Sequence, residues 1–273
     1  SVQGRSPDLA LLPIASNPEL ELCIETWAFF ETIHSRSYTH VIRNVYPNPS
    51  KVFDEIKLIP EILDCAKDIS EHYDNLMNWK GPYGNYKHKK LLYLCLISIY
   101  ILEGIRFYAS FACSWAFAEL KQMEGNAKII KLIARDENLH LAASLNIIRQ
   151  LIKDDKDFIK IKEETQDEVT KLFEDALVQE EDWCDYLFDS GSMIGLNGEL
   201  LKEYVRWIGA KRIKSLGYDV PFTVHMHNPL PWTEKWISGG AVQVAPQETE
   251  ITSYVLGGVK QDVDKNSFEG LSL

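Results

Sequence analysis

What this 273-residue sequence lacks narrows its function first. Basic residues are outnumbered, 29 against 40 acidic ones, and the net charge of −11 argues against a general binder of nucleic-acid backbone. Cysteine is scarce and odd in number. Cys23, Cys65, Cys95, Cys113 and Cys184 lie far apart among apolar or helical residues, so reduced thiols of a cytosolic protein are expected rather than a disulfide framework. No amino-terminal stretch reads as a cleaved leader, and the longest uncharged apolar run, residues 91–102, is too short to cross a bilayer. Neither export nor membrane insertion is expected. No repeat of fixed period, low-complexity run or strand pattern is present. Methionine is absent from the first position, which is Ser1, so residues upstream of it are expected.

What is present is helical periodicity over most of the chain. Asn17 can cap and Pro18 can open a long helix over residues 18–45, and a second periodic segment covers 60–79. The turn formers of "KGPYGNY" then reverse the chain. Residues 89–123 are apolar on nearly every side, which predicts one central buried helix. Further helices are expected at 129–153, 160–188 and 199–216. Beyond residue 237 the helical period disappears. The expected organisation is an all-α domain over 1–237 and a flexible tail over 238–273.

Glu31-x-x-His34 returns as Glu137-x-x-His140, and between them stands Glu103, a carboxylate preceded by twelve uncharged residues. Two matches to so weak a pattern mean little alone. On a helix, however, residues three apart share a face, so each pair can offer an oxygen and a nitrogen to one metal. The alternative is that Glu103 pairs with Arg106 and that the histidines are satisfied core residues. A pair of cations answers for all five at once, because an unpaired buried carboxylate costs several kcal/mol. Ferritin-like four-helix bundles hold two irons or manganeses with two such pairs plus single carboxylates from two other helices. Tyr38, four residues beyond His34, projects from the same face, where a phenol beside two metals can be oxidised.

The stretches "ETWAFFETIHSRSYTHVIRN", "LEGIRFYASFACSWAFAE", "MEGNAKIIKLIARDENLHL", "DYLFDSGSMIGLN" and "VQVAPQE" resemble the small, radical-generating subunit of class I ribonucleotide reductase. The resemblance implies a dinuclear centre, usually diiron with manganese also accepted, that reacts with dioxygen. It implies a tyrosyl radical whose oxidising equivalent passes to a separate large subunit, and a homodimer. Carried over by position, Glu31, His34, Glu103, Glu137 and His140 match metal ligands and Tyr38 the radical tyrosine. Phe107, Phe111 and Ile133 match the apolar pocket around it, and Asp136 the acid bonded to a metal-binding histidine. Glu248 and Tyr254 match relay residues of the tail. Its end, "DVDKNSFEGLSL", resembles the segment that docks on the large subunit, with Phe268, Leu271 and Leu273 as anchors.

Two departures from the family pattern stand out. The "KGPYGNY" connection is short, and the aspartate ligand that should immediately precede "SVQGRSP" is not in the sequence. Three carboxylates and two histidines leave one metal under-coordinated. The expectation is a divided subunit, completed by a separate amino-terminal polypeptide carrying the aspartate; an intein break, a truncation or proteolysis would each leave Ser1 first. Competing readings are a dimetal ferroxidase or oxygenase, and an inactive scaffold fragment.

Overall fold

The computed structural model describes residues 6–56 and 58–238. It consists of helices: α1 (Ser6–Leu11), α2 (Pro18–Val45), α3 (Pro49–Ile56), α4 (Pro60–Met77), α5 (Tyr86–Gly104), α6 (Tyr108–Glu119), α7 (Glu124–Asp154), α8 (Lys156–Glu164), α9 (Gln166–Phe188), α10 (Gly198–Ser215) and a final turn, α11 (Glu234–Ile237). Among the described residues the only β-pairing is an isolated bridge between Met193 and Leu196. The expected tail, with Glu248, Tyr254, Phe268, Leu271 and Leu273, lies outside the described residues.

Local chemistry starts the helices where expected. Asn17 accepts from the Leu20 N–H at 2.8 Å ahead of Pro18, and Asn85 and Asn197 do the same for α5 and α10 at 2.9 Å. α5 is the bundle's axis, buried on nearly every side and packed against α4, α7, α8, α9 and α10, while α2 lies on α7. Residues 86–119, spanning α5 and α6, are apolar enough in composition to cross a membrane, yet they are mostly buried inside the fold. That is how the axial helix of a ferritin-like bundle reads. The "KGPYGNY" reversal is confirmed, with Gly84 at φ 75°, a conformation that favours glycine.

One expectation is corrected. The single helix over 89–123 is broken at residues 105–107, and Glu103 occupies the last turn before the break. Gly104, the last residue of α5, is the one local signal for the break, since glycine is a poor helix former. The break is held from outside: Arg212 of α10 donates through Nε to the Gly104 carbonyl at 3.1 Å and through Nη2 to the Tyr108 hydroxyl at 3.0 Å. A Cβ on Gly104 would come within 2.9 Å of Leu141 Cδ1 and 3.2 Å of Arg212 Cγ. Gly104→Val is therefore expected to destabilise the chain by about 1–3 kcal/mol through overpacking, measured as a lowered urea midpoint.

Candidate metal centre

Three helices converge on one buried point. α2 supplies Glu31 and His34, α7 supplies Glu137 and His140, and the end of α5 supplies Glu103, which is fully buried. One donor atom from each of Glu31, Glu103, Glu137 and His140 lies within 4.8 Å of the others. His140 Nδ1 is 3.2 Å from Glu137 Oε2, 3.3 Å from Glu31 Oε1 and 3.5 Å from Glu103 Oε2. His34 Nδ1 is 3.1 Å from the other Glu137 oxygen, Oε1, and 3.9 Å from Glu31 Oε2.

Glu31 and Glu137 thus each turn one oxygen toward each imidazole, and the two rings are 5.8 Å apart. Two carboxylates set between two imidazoles, with a third at one end, make a donor set for two divalent cations. The metals fit the residues on a further count: Glu31 Oε1 and His34 Nδ1 are buried and lack a well-aligned hydrogen bond despite their close neighbours. Arg106, which sequence offered as the alternative partner of Glu103, is instead coupled electrostatically to the buried Glu180.

The electrostatics describe how these groups share protons. Burial, then the charge and hydrogen bond of Glu137, push the Glu103 carboxyl well above its ordinary range. Burial opposes the charged form of His140, but its bonds to Glu103, Glu137 and Glu31 outweigh that and raise it to about 11. His34 is likewise disfavoured by burial and rescued by Asp136 and Glu137, reaching about 9. Glu137 is held well below the carboxylate range: burial raises it, but bonds with Glu103, His140 and His34 prevail.

Asp136 is buried rather than solvated, and its Oδ2 lies 3.1 Å from His34 Nε2, leaving Nδ1 to face the cluster. Arg135 holds the other Asp136 oxygen at 3.2 Å through Nη2. Phe107, Phe111 and Ile133 fall in one apolar cluster with Trp115, the two phenylalanine rings stacked at 6.0 Å. Tyr38 is 37% exposed, although burial of its hydroxyl end and the charges of Glu137 and Glu31 raise its pKa. The described residues therefore cover the phenol incompletely.

Sequence reasoning missed Trp27, whose ring stacks on His140 at 4.9 Å. Its place four residues before Glu31, on the same helix face, was the available signal. It also missed Tyr108, which donates to Asn138 Oδ1 at 3.1 Å and, through Arg212, ties α10 to α7 beneath the site.

Paired Glu-x-x-His helices closing on a buried carboxylate within an all-α bundle define a ferritin-like dimetal-carboxylate protein. The profile of the family described as "Ribonucleotide reductase, small chain" matches residues 2–229. The ribonucleoside-diphosphate reductase subunit beta of Haemophilus influenzae is 50% identical over 292 aligned positions, covering 100% of this chain and 77% of that protein. The subunit beta of Enterobacteria phage T4 is 40% identical, covering 97% and 76%. A putative class I ribonucleotide reductase from Bacillus halodurans superposes with a TM-score of 0.74 at 25% identity, covering 86% of this chain and 81% of that one. The dimanganese(II)-NrdF of Streptococcus sanguinis, 24% identical, shares the fold with a TM-score of 0.68, over 87% and 77%. The chain belongs to the ribonucleotide reductase small-chain family, as a radical-generating subunit of the class I enzyme.

A pH dependence follows from the shared protons. Both histidines have folded pKa values above their ordinary 6.5, so the stability they contribute is complete below that value. It is lost as pH rises through about 9 for His34 and about 11 for His140. The metal-free chain is expected to melt at progressively lower temperature between about pH 7 and 10, and the manganese-loaded chain to depend less on pH. Metal addition at neutral pH should release about three protons per dimetal site, read with a pH indicator in weak buffer. No proton release would contradict this account.

Proposed function

We propose that this chain stores a one-electron oxidising equivalent at Tyr38, beside two metals held by Glu31, His34, Glu103, Glu137 and His140. It passes that equivalent to the large catalytic subunit for deoxyribonucleotide synthesis. The observation that carries the reading is the convergence of two Glu-x-x-His pairs and the fully buried Glu103 on one point, one turn of α2 from Tyr38. When bound, the metals supply the oxidising power of dioxygen. The chain's residues do the rest. Glu31 and Glu137 address both imidazoles, Asp136 fixes the orientation of His34, and Phe107, Phe111 and Ile133 form an apolar wall. The raised pKa of Tyr38 keeps its phenol protonated until it is oxidised.

Iron is the proposed metal. Manganese suits the same donors, and a related fold is described as dimanganese(II)-NrdF. Residues 1–237 are read as the metal-bearing domain and 238–273 as the tail that docks on the large subunit, with Glu248 and Tyr254 as relay. A homodimer in the cytoplasm completes the picture. A storage or ferroxidase role accounts for neither the phenol nor the Arg135–Asp136–His34 chain leading outward from the centre.

The fourth carboxylate is proposed to come from a separate amino-terminal polypeptide. Two observations favour this. A groove of about 370 Å³ between α2 and α7 has Leu22, Phe30 and Leu139 beside Trp27, Asp136 and His140. Leu22, Phe29 and Ile33 also stand 65%, 60% and 42% exposed along α2.

Tyr38→Phe is expected to bind metal normally and lose the tyrosyl signal in electron paramagnetic resonance after ferrous iron and air are added. Glu103→Ala should bind less metal and so give no radical. Both are measured with the upstream polypeptide present, and loss of metal from Tyr38→Phe would overturn the assignment of that residue. Deleting residues 254–273 should spare metal and radical but abolish turnover with the large subunit; undiminished turnover would remove the docking role.

A further inference from the structure

Phe107, Phe111 and Trp115 follow one another at intervals of four residues from the α5–α6 break along one face of α6. Their neighbouring ring centroids are 6.0 Å and 5.7 Å apart. The row continues beyond the helix, because Trp236 of α11 lies parallel to Trp115, 6.1 Å away between centroids and with 7° between the ring planes. Trp115 is fully buried, whereas Trp236 reaches the surface.

The inner end of this row stands level with Tyr38. α2 and α7 run antiparallel: His34 meets Asp136 and Glu137 at 3.1 Å, while Arg36, His40 and Arg43 share a groove with Ile129. Tyr38, one turn beyond His34, is therefore level with Ile133, which lies one turn before Glu137 on the same face of α7. Ile133 packs in one cluster with Phe111 and Trp115.

The two indoles differ in a way that sets a direction. Trp115 Nε1 is buried with no hydrogen-bond partner among the described residues. Trp236 Nε1 donates to Glu119 Oε1 at 2.8 Å, and Lys235 holds the other oxygen at 2.7 Å. An indole that loses an electron becomes a strong acid. Trp115 has no acceptor for that proton, so it can pass the charge on but not keep it. Trp236 can release its proton to Glu119. Burial raises the Glu119 carboxyl, but its bonds with Lys235 and Trp236 prevail and keep it ionised. The ammoniums of Lys131 and Lys235 each lie 5.9 Å from the Trp236 centroid, and Lys121 also acts on Glu119. They disfavour a cationic ring, which ties its oxidation to loss of the proton, and they attract anions.

We propose that Trp236 is the entry site for electrons from a small anionic one-electron reductant, and that Trp115 carries them on to an oxidised Tyr38. The inference rests on the reading of Tyr38 as the seat of the oxidising equivalent. One electron leaves the Trp236 indole, passes by way of Trp115 and reduces the Tyr38 phenoxyl oxygen, which takes up one proton from solvent. The Nε1 proton of Trp236 moves to Glu119. The reductant then returns one electron to Trp236 and Glu119 returns the proton, so that one reductant is oxidised and one phenol restored. The path shares no residue with the Arg135–Asp136–His34 chain.

Ferrocyanide, a highly charged anion, and hydroxylamine, which is small and uncharged, separate this path from direct access. Each is mixed with the metal-loaded subunit, upstream polypeptide present, and the tyrosyl signal is followed by electron paramagnetic resonance. Trp236→Phe and Trp115→Phe are each expected to form the signal in wild-type yield and to lose most of its decay with ferrocyanide, while decay with hydroxylamine is unchanged. Lys131→Glu should slow the ferrocyanide reaction alone and weaken its dependence on salt. Unchanged ferrocyanide decay in Trp236→Phe, a surface substitution that decides the matter even if Trp115→Phe fails to fold, would overturn the proposal. If the unmodified subunit gives no tyrosyl signal, the reading of Tyr38 fails instead, and the tryptophans are judged on the same protein without metal. Azide radicals from pulse radiolysis oxidise indoles, and tryptophanyl absorption should then convert to tyrosyl absorption in a phase that Trp236→Phe and Tyr38→Phe both lack. No such phase in the unmodified protein, or one retained in Trp236→Phe, overturns the electron path itself.

Discussion

Placing three carboxylates and two imidazoles in a dry core constrains everything around them. Two unit charges of like sign about 4 Å apart repel by roughly 4 kcal/mol at the effective dielectric of a protein, and burying each ion costs several kcal/mol more. Without metal, protons offset part of the carboxylate charge: both imidazoles are held in the charged form, Glu137 is held ionised, and Glu103 is pushed toward its acid form. Divalent cations would offset the carboxylate charge with the protons removed.

Such a cluster is tolerable only if its members cannot relax apart, and the bundle arranges this by fixing helices rather than loops. α2 and α7 are 28 and 31 residues long and carry their ligands well inside their spans. Glu103 is the exception, being one residue from the end of α5. Its position depends on Arg212 and Tyr108, whose bonds link α10 to the α5–α6 break and, through Asn138, to α7. The fully buried Glu103 thus sits beside a helix end pinned by a distant arginine.

This division explains what could be read from the sequence. The long helices were legible because their caps and their 3.6-residue period are local properties, and α2 begins and ends where expected. The five candidate ligands were legible because charges are conspicuous on an apolar face. The break at 105–107 was not, since Gly104 is its one local signal and the bonds that impose it come from residues over a hundred positions away. α3 escaped for a different reason: eight residues are too few to establish a period. Trp27 and Tyr108 read as ordinary core aromatics, and only the fold reveals that one faces His140 and the other holds Arg212.

Tyr38 poses the remaining physical question, because its two ends have opposite surroundings. Its hydroxyl lies where burial and two carboxylates hold the proton on, while 37% of the residue's surface is open. A phenoxyl radical persists only where water and reductants are kept away. Phe107, Phe111 and Ile133, proposed as its apolar wall, pack together in the cluster between the α5–α6 break, α6 and α7. The open surface must be covered from elsewhere if the oxidised phenol is to last. The same helix leaves Leu22, Phe29 and Ile33 uncovered along its length, and the groove beside His140 and Asp136 is apolar. At about 100° per residue Leu22, Phe29 and Ile33 share one face of α2 and Tyr38 lies nearly opposite, on the face of Glu31, so a cover for the phenol and a cover for the apolar stripe are separate requirements.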